Sequence, residues 1–214
     1  MTKKTSSGSV SHAGAPIDAS GARASARERL LAAADELFYE GGVHSVGIDR
    51  IIERAGVAKA SLYDNFGSKD ELISAYLAAR HDARAARVET AIARHQDPRD
   101  RVLAIFDAMG DAFADSRYRG CAFARAAAEQ RPSDGVRAVC DNARGWMRDL
   151  FARLARDAGA ARPDALARQL QMLYDGAAVS GQTDRDPAIA KAARAAAALL
   201  LDAAIAARRG ARSL

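Results

Sequence analysis

Cysteine is almost absent, since Cys121 and Cys140 are the only two among 214 residues. Two thiols without a ligand-like pattern exclude a disulfide scaffold or a zinc cage in a chain of this length. His44, His81 and His95 have no carboxylate or cysteine at ligand spacing, so neither a metal site nor a cofactor is expected. A Ser-His-Asp arrangement, a phosphate loop and a paired-carboxylate motif are also missing, and the chain is read as no enzyme, with no catalytic residue assigned. No stretch approaches the roughly 18 unbroken apolar residues of a membrane span. The opening Met1-Thr2-Lys3-Lys4-Thr5-Ser6-Ser7-Gly8 leads into Ser, Gly and Ala without an apolar signal core. A cytoplasmic protein without membrane contact is therefore expected. Nowhere do Val, Ile, Thr and aromatics alternate over the length of a strand, which leaves an all-α fold.

What is present is a chain 49% hydrophobic and 28% charged, able to bury a real core and long enough for one to two domains. Its net charge of +5 invites a nucleic-acid reading, but the excess has to be located first. Between Ala26 and Asp70 the six basic residues Arg27, Arg29, Arg50, Arg54, Lys59 and Lys69 are outnumbered by eight acids. The surplus lies in the tail and the C-terminal part, so individual positions must carry the argument.

Residues 1–24 are Ser, Gly and Ala rich with scarcely an apolar residue, and are expected to be disordered. Lys3, Lys4 and Arg23 within them suit either a minor-groove arm or a solvated tail. Ser25 and Glu28 are spaced as a capping box, and Leu30, Leu31, Ala34, Leu37 and Phe38 follow on one helical face up to Gly41-Gly42. A short helix is predicted over about 47–55 with Ile48, Ile51 and Ile52 inward, and Gly56 follows where a left-handed turn would need it. Another covers about 58–66. Ser68 with Glu71 forms a second capping box, opening a long helix toward His95. Asp97-Pro98, Ser133, Pro163 and Asp186-Pro187 then start helices over about 98–116, 134–158, 163–181 and 187–208, and a short one fits near 121–130. The domains expected are a head over 25–70 and a helical body over 71–214.

The informative stretch runs from Gly47 to Leu72, where two short helices meet across a glycine turn. In such a pair the first helix lies across a phosphate backbone and the second enters the major groove, whose edge pattern distinguishes every base pair. Val57, Leu62 and Phe66 would seat the second helix on Leu37, Phe38, Ile48 and Ile52. Lys59, Ala60, Ser61, Tyr63, Asp64 and Asn65 would remain free. The order of an isoleucine-rich helix, Ala55-Gly56-Val57, Leu62-Tyr63 with Phe66, and Ser68-Lys69 with Leu72 resembles the signature of the TetR family, over about Arg27 to Leu77. The resemblance implies a helix-turn-helix head on a helical bundle that forms a homodimer on double-stranded DNA. Carried over by position, Lys59, Ala60, Ser61 and Asn65 look groove-facing, Tyr63 and Lys69 look like phosphate clamps, and Gly47, Arg50 and Asp64 belong to the same DNA-binding set. Gly47 and Ala58 depart from the family pattern, standing where hydroxyl-bearing caps are usual. Ala60 replaces a common glycine, and Asp64 brings an acid that either accepts from cytosine or steers Lys59.

The resemblance also implies a cavity for a small-molecule effector in the C-terminal bundle. Met and aromatic residues at helical spacing suit an adaptable apolar pocket, and Phe106, Met109, Phe113, Phe123, Trp146, Tyr174 and Gln182 are its candidate lining, with core packing the competing role. Cys121 and Cys140 are read as small hydrophobes or as a redox pair. The last two helices, Ala-rich with Leu199, Leu200, Leu201 and Ile205, are the expected dimer face, and a two-fold dimer calls for an inverted-repeat operator. The leading expectation is a repressor released by a mostly apolar effector. An activator, a constitutive DNA-binding protein, and a helical carrier or enzyme with a vestigial head are the alternatives.

Overall fold

The computed structural model describes residues 24–128 and 132–211. The N-terminal tail with Lys3, Lys4 and Arg23 lies outside them, apart from Ala24. The described residues form nine helices and no strand: α1 (Ala26–Gly41), α2 (Ile48–Ala55), α3 (Lys59–Phe66), α4 (Lys69–Ala93), α5 (Pro98–Phe113), α6 (Ala122–Ala128), α7 (Asp134–Asp157), α8 (Pro163–Asp184) and α9 (Ala188–Ala211). None of these helices is long and apolar enough to cross a membrane.

The helix starts follow local chemistry. Ser25 Oγ accepts from the Glu28 amide at 3.2 Å while Glu28 Oε2 accepts from the Ser25 amide at 2.7 Å, completing the expected box. The second box forms only by half: Ser68 Oγ accepts from the Glu71 amide at 3.1 Å, and no return bond from Glu71 accompanies it. Asp97 Oδ1 takes the Arg99 amide at 2.7 Å and Asp186 Oδ1 the Ala188 amide at 2.8 Å, each beside a proline at the helix start. α5 ends at Phe113, short of residue 116, whereas α8 continues past Gly181 to Asp184 and stops at Arg185 in the left-handed region, φ 52°.

Two apolar clusters organise the chain. One joins α4, α5, α7, α8 and α9 through Val88, Leu103, Phe106, Phe151, Leu170 and Leu201, all essentially inaccessible. The other gathers Leu30, Phe38, Ile51, Leu62 and Leu72 from α1 to α4, and continues through Tyr76 and Leu77 to Phe123 of α6 and Cys140 of α7. Each large aliphatic side chain so buried contributes about 1.5–3 kcal/mol relative to exposure. The N-terminal helices are thus packed against the body through the first turns of α4 and through α6.

Candidate nucleic-acid interface and effector cleft

α3 is held by its inner residues: Leu62 is fully buried and Phe66 nearly so. The anchor it meets on α2 is Ile51, fully buried, while Ile48, Ile52 and Val57 are only half-buried. All three nonetheless pack against the cluster that holds Leu37, Phe38, Leu62 and Phe66, as expected, with Ile51 lying deepest. Gly56 closes α2 in the left-handed conformation, φ 62°, and its carbonyl accepts from Arg29 Nη1 at 3.1 Å, which ties the turn to α1. Neither Gly47 nor Ala58 makes a side-chain cap bond, as their side chains dictate.

Outward from that seat lie Lys59, Ala60, Tyr63, Asp64 and Asn65, all exposed, with Arg50 and Gly47 exposed on α2 and at its start. Tyr63 is 44% exposed, a high value for so large a ring. Ser61 is half-buried, so it is less free than its neighbours. Lys59 Nζ pairs with Asp49 of α2 at 3.0 Å, and this hydrogen bond, followed by the Asp49 charge, raises the ammonium above its usual value. Asn65 Nδ2 donates to the Ser61 carbonyl at 2.7 Å within α3, so a paired contact to a base edge requires that bond to be exchanged. Half-buried Lys69 donates to the His44 carbonyl at 3.4 Å and lies 5.9 Å from the Phe38 ring centroid. Arg27, which no sequence motif singles out, lies with its guanidinium 4.9 Å from the Phe66 ring centroid at the end of α3.

A cleft of about 1140 Å³ opens between α1, α4, α5, α8 and the segment leading into α6. Met109, Phe113, Phe123 and Tyr174 of the expected lining border it. Phe106, Trp146 and Gln182 do not. Phe106 is fully buried, 6.0 Å from Phe151 and 6.1 Å from Tyr174 between ring centroids, so it belongs to the core. Trp146 stacks edge-on against His81 at 5.4 Å. Gln182 is exposed, and its side chain fills the place that a Cβ on Gly120, φ 84°, would take.

Charged lining was absent from the expectation and is prominent in the cleft. Arg80, Arg84 and Arg87 share one face of α4, at the i, i+4, i+7 spacing that the sequence already displays. Arg80 makes a two-pronged pair with Asp35 of α1, its Nη2 to Oδ2 arm 3.0 Å long, and lies 3.5 Å over the Tyr39 ring. Tyr39 in turn joins the head to the body: its hydroxyl donates to the Gly120 carbonyl at 3.1 Å and accepts from the Arg119 amide at 2.9 Å, while its own carbonyl accepts from Arg125 of α6 at 2.7 Å. Burial raises the phenols of Tyr118 and Tyr174, keeping both protonated. Buried Cys140 is pushed up to about 11, first by burial and then by Cys121, which lowers its reactivity as a thiolate. Among the described residues, no group of three or more His, Cys, Asp or Glu is placed to hold a metal.

The family of bacterial regulatory proteins named for TetR matches residues 30–76. HTH-type transcriptional activator FasR of Mycolicibacterium smegmatis is 41% identical over 85 residues, which are 40% of this chain and only 39% of that protein. Regulatory protein TetR from Rhodobacter sphaeroides has the same fold over 82% of this chain and 98% of its own, at 25% identity and a TM-score of 0.72. A TetR-family transcriptional regulator from Streptomyces coelicolor matches at 35% identity and a TM-score of 0.79, covering 84% of this chain and 96% of its own. With nearly the whole of that regulator matched and the head motif in place, this chain belongs to the TetR family of transcriptional regulators.

Proposed function

We propose that the chain is an effector-controlled repressor that reads an inverted-repeat operator as a homodimer. The observation that carries this reading is the exposed face of α3, where Tyr63, Asn65 and Lys59 project from a helix whose opposite side is sealed by Leu62 and Phe66. A helix so seated enters the major groove, with Ala60, Ser61 and Asn65 toward the base edges and Tyr63, Lys69 and Arg50 on phosphates. Lys59 is released from Asp49 when phosphate competes for its ammonium, a cheap exchange because both partners of the pair are exposed. Gly47 contributes only backbone to this contact, and Asp64 biases the reading toward a cytosine donor.

In this reading residues 25–70 are the head and 71–214 the effector and dimer unit, with α1 lending one wall of the cleft. Met172, Val179 and Leu199 are 70%, 58% and 74% exposed on α8 and α9, which supports these helices as the dimer face. Leu201 takes no part, being fully buried in the body. The effector enters the cleft, and Tyr39 with Arg80 passes its presence to the head. An effector needs only a few kcal/mol of preference for the released form to empty the operator. The name of the FasR relative favours a second reading, in which effector occupancy activates transcription, and the same geometry serves either sign. A carrier or enzyme reading finds no support among relatives that are described as regulators.

The test is binding of the full chain to its own upstream DNA at several salt concentrations, beside a Tyr63→Ala, Lys69→Ala double variant. The expected result is an affinity that falls steeply with salt and is at least about tenfold weaker in the variant. An affinity that ignores both changes would remove the head from the function.

A further inference from the structure

Within the cleft the charges are unevenly matched. Arg80 is neutralised by Asp35, Arg117 by Asp115 at 2.9 Å, and the half-buried Asp175 of α8 by Arg144 at 3.0 Å. Glu36 is held by Arg54 at 2.7 Å, and Glu28, Glu40 and Asp111 are exposed lining residues. Arg84 is different. It is half-buried, its guanidinium lies 4.6 Å from the Phe123 ring centroid, and Nη2 donates to the Ala143 carbonyl at 2.8 Å. Its buried Nε has no hydrogen-bond partner, and no carboxylate among the described residues lies within ion-pair distance of it, Asp175 acting on it only through its charge. One turn away on the same face, Arg87 is exposed and lines the cleft without an ion-pair partner among the described residues, so Arg84 alone carries a desolvation cost and Arg87 adds an accessible charge beside it. The Tyr174 hydroxyl, which lines the same cleft as both arginines, has no hydrogen-bond partner among the described residues either, and the charges of Arg84, Arg87 and Asp175 all act on it. Apolar surface from Met109, Phe113 and Phe123 completes the wall.

A cation withdrawn from water without a counter-ion carries a desolvation cost that an arriving anion offsets. Guanidinium forks also suit carboxylate geometry, and a neutral phenol adds a third donor. We propose that the effector is an amphipathic organic anion, with its carboxylate or similar head on Arg84, Arg87 and the Tyr174 hydroxyl, and its apolar body against Met109, Phe113 and Phe123. This assignment rests on the reading of the cleft as an effector site, and it replaces the mostly apolar effector expected from the sequence with a charged class. The seven acids of the lining do not favour a cation in its place: Asp175, whose buried Oδ2 makes no hydrogen bond, already faces Arg144 at 3.0 Å and the charge of Arg84, and the others are exposed or, like Asp35, paired.

The probes are biphenylacetate, biphenylacetamide and biphenylethylamine, which share one apolar body and differ in head charge, titrated calorimetrically into the full chain. Biphenylacetate is expected to bind at least about tenfold more tightly than either analogue, the margin a charge-assisted hydrogen bond provides. Arg84→Met and Arg87→Met should each shrink that margin, and Arg84→Lys should keep part of it. Arg87→Met serves as the decisive variant if Arg84→Met, which loses the bond to Ala143, does not fold. Equal binding of the three probes, a preference for the amine, or a carboxylate preference that survives Arg87→Met and any folded Arg84→Met would overturn the anionic class while leaving the cleft as an effector site. Binding of none of the three at millimolar concentration would overturn the effector reading as well.

Discussion

Among single residues, a few positions within the helical body leave their side chains little latitude. Gly181 on α8 is one: a Cβ there would come within 2.5–2.8 Å of three carbons of the Phe113 ring, so the two helices approach closely only because the side chain is absent. Gly181→Ala should destabilise the chain by about 1–3 kcal/mol as the ring is displaced, measured by urea unfolding. His81 is a second. Burial first, and then the charge of Arg84, lower its imidazole from the ordinary 6.5, with Asp82 opposing more weakly, and its Nδ1 has no hydrogen-bond partner. A folded value below the unfolded one means that the unfolded chain binds the proton more readily. Stability from neutral His81 is therefore full above pH 6.5 and is lost as pH falls through the folded value. Thermal unfolding followed from about pH 8 to about pH 5 should show this loss, and His81→Leu should flatten that part of the profile.

At the scale of elements, α3 begins without a side-chain cap, since Ala58 holds the extended cap geometry, φ −71° and ψ 152°, with nothing to offer the first amides. Ala58→Ser should therefore stabilise the chain by about 1 kcal/mol, seen as a higher denaturant midpoint at unchanged slope. Helix starts of this kind were legible in the sequence because a cap is a local event, decided within four residues. Ser25, Asp97, Ser133 and Asp186 each bond the amide their spacing promised. The ends were less legible. Whether α8 stops at Gly181 or runs on to Asp184 depends on Phe113 and Gly120 packing beside it, which no local signal encodes. How deep each isoleucine of α2 lies was hidden too, because Ile48, Ile51 and Ile52 share one face and only the packed structure shows Ile51 to be the innermost.

At the scale of the whole molecule, the exposed face of α3 was readable because its seven-residue pattern is contiguous, whereas the cleft draws on α1, α4, α5, α8 and the approach to α6. Apolar spacing alone cannot separate a wall residue such as Phe113 from a core residue such as Phe106, since both satisfy one helical period. The arginine row on α4 was visible in the sequence, but its meaning depended on knowing that Arg80 finds Asp35 and Arg84 finds no carboxylate. On the proposed function, two copies of α3 read DNA together, held apart by a dimer through α8 and α9. Selection of bound fragments by the full chain from a random duplex pool tests it most directly. The expected result is enrichment of an inverted repeat whose half-sites are one helical turn or a multiple apart, about 34–36 Å per turn. Enrichment of a lone half-site, or none above the starting pool, would contradict it.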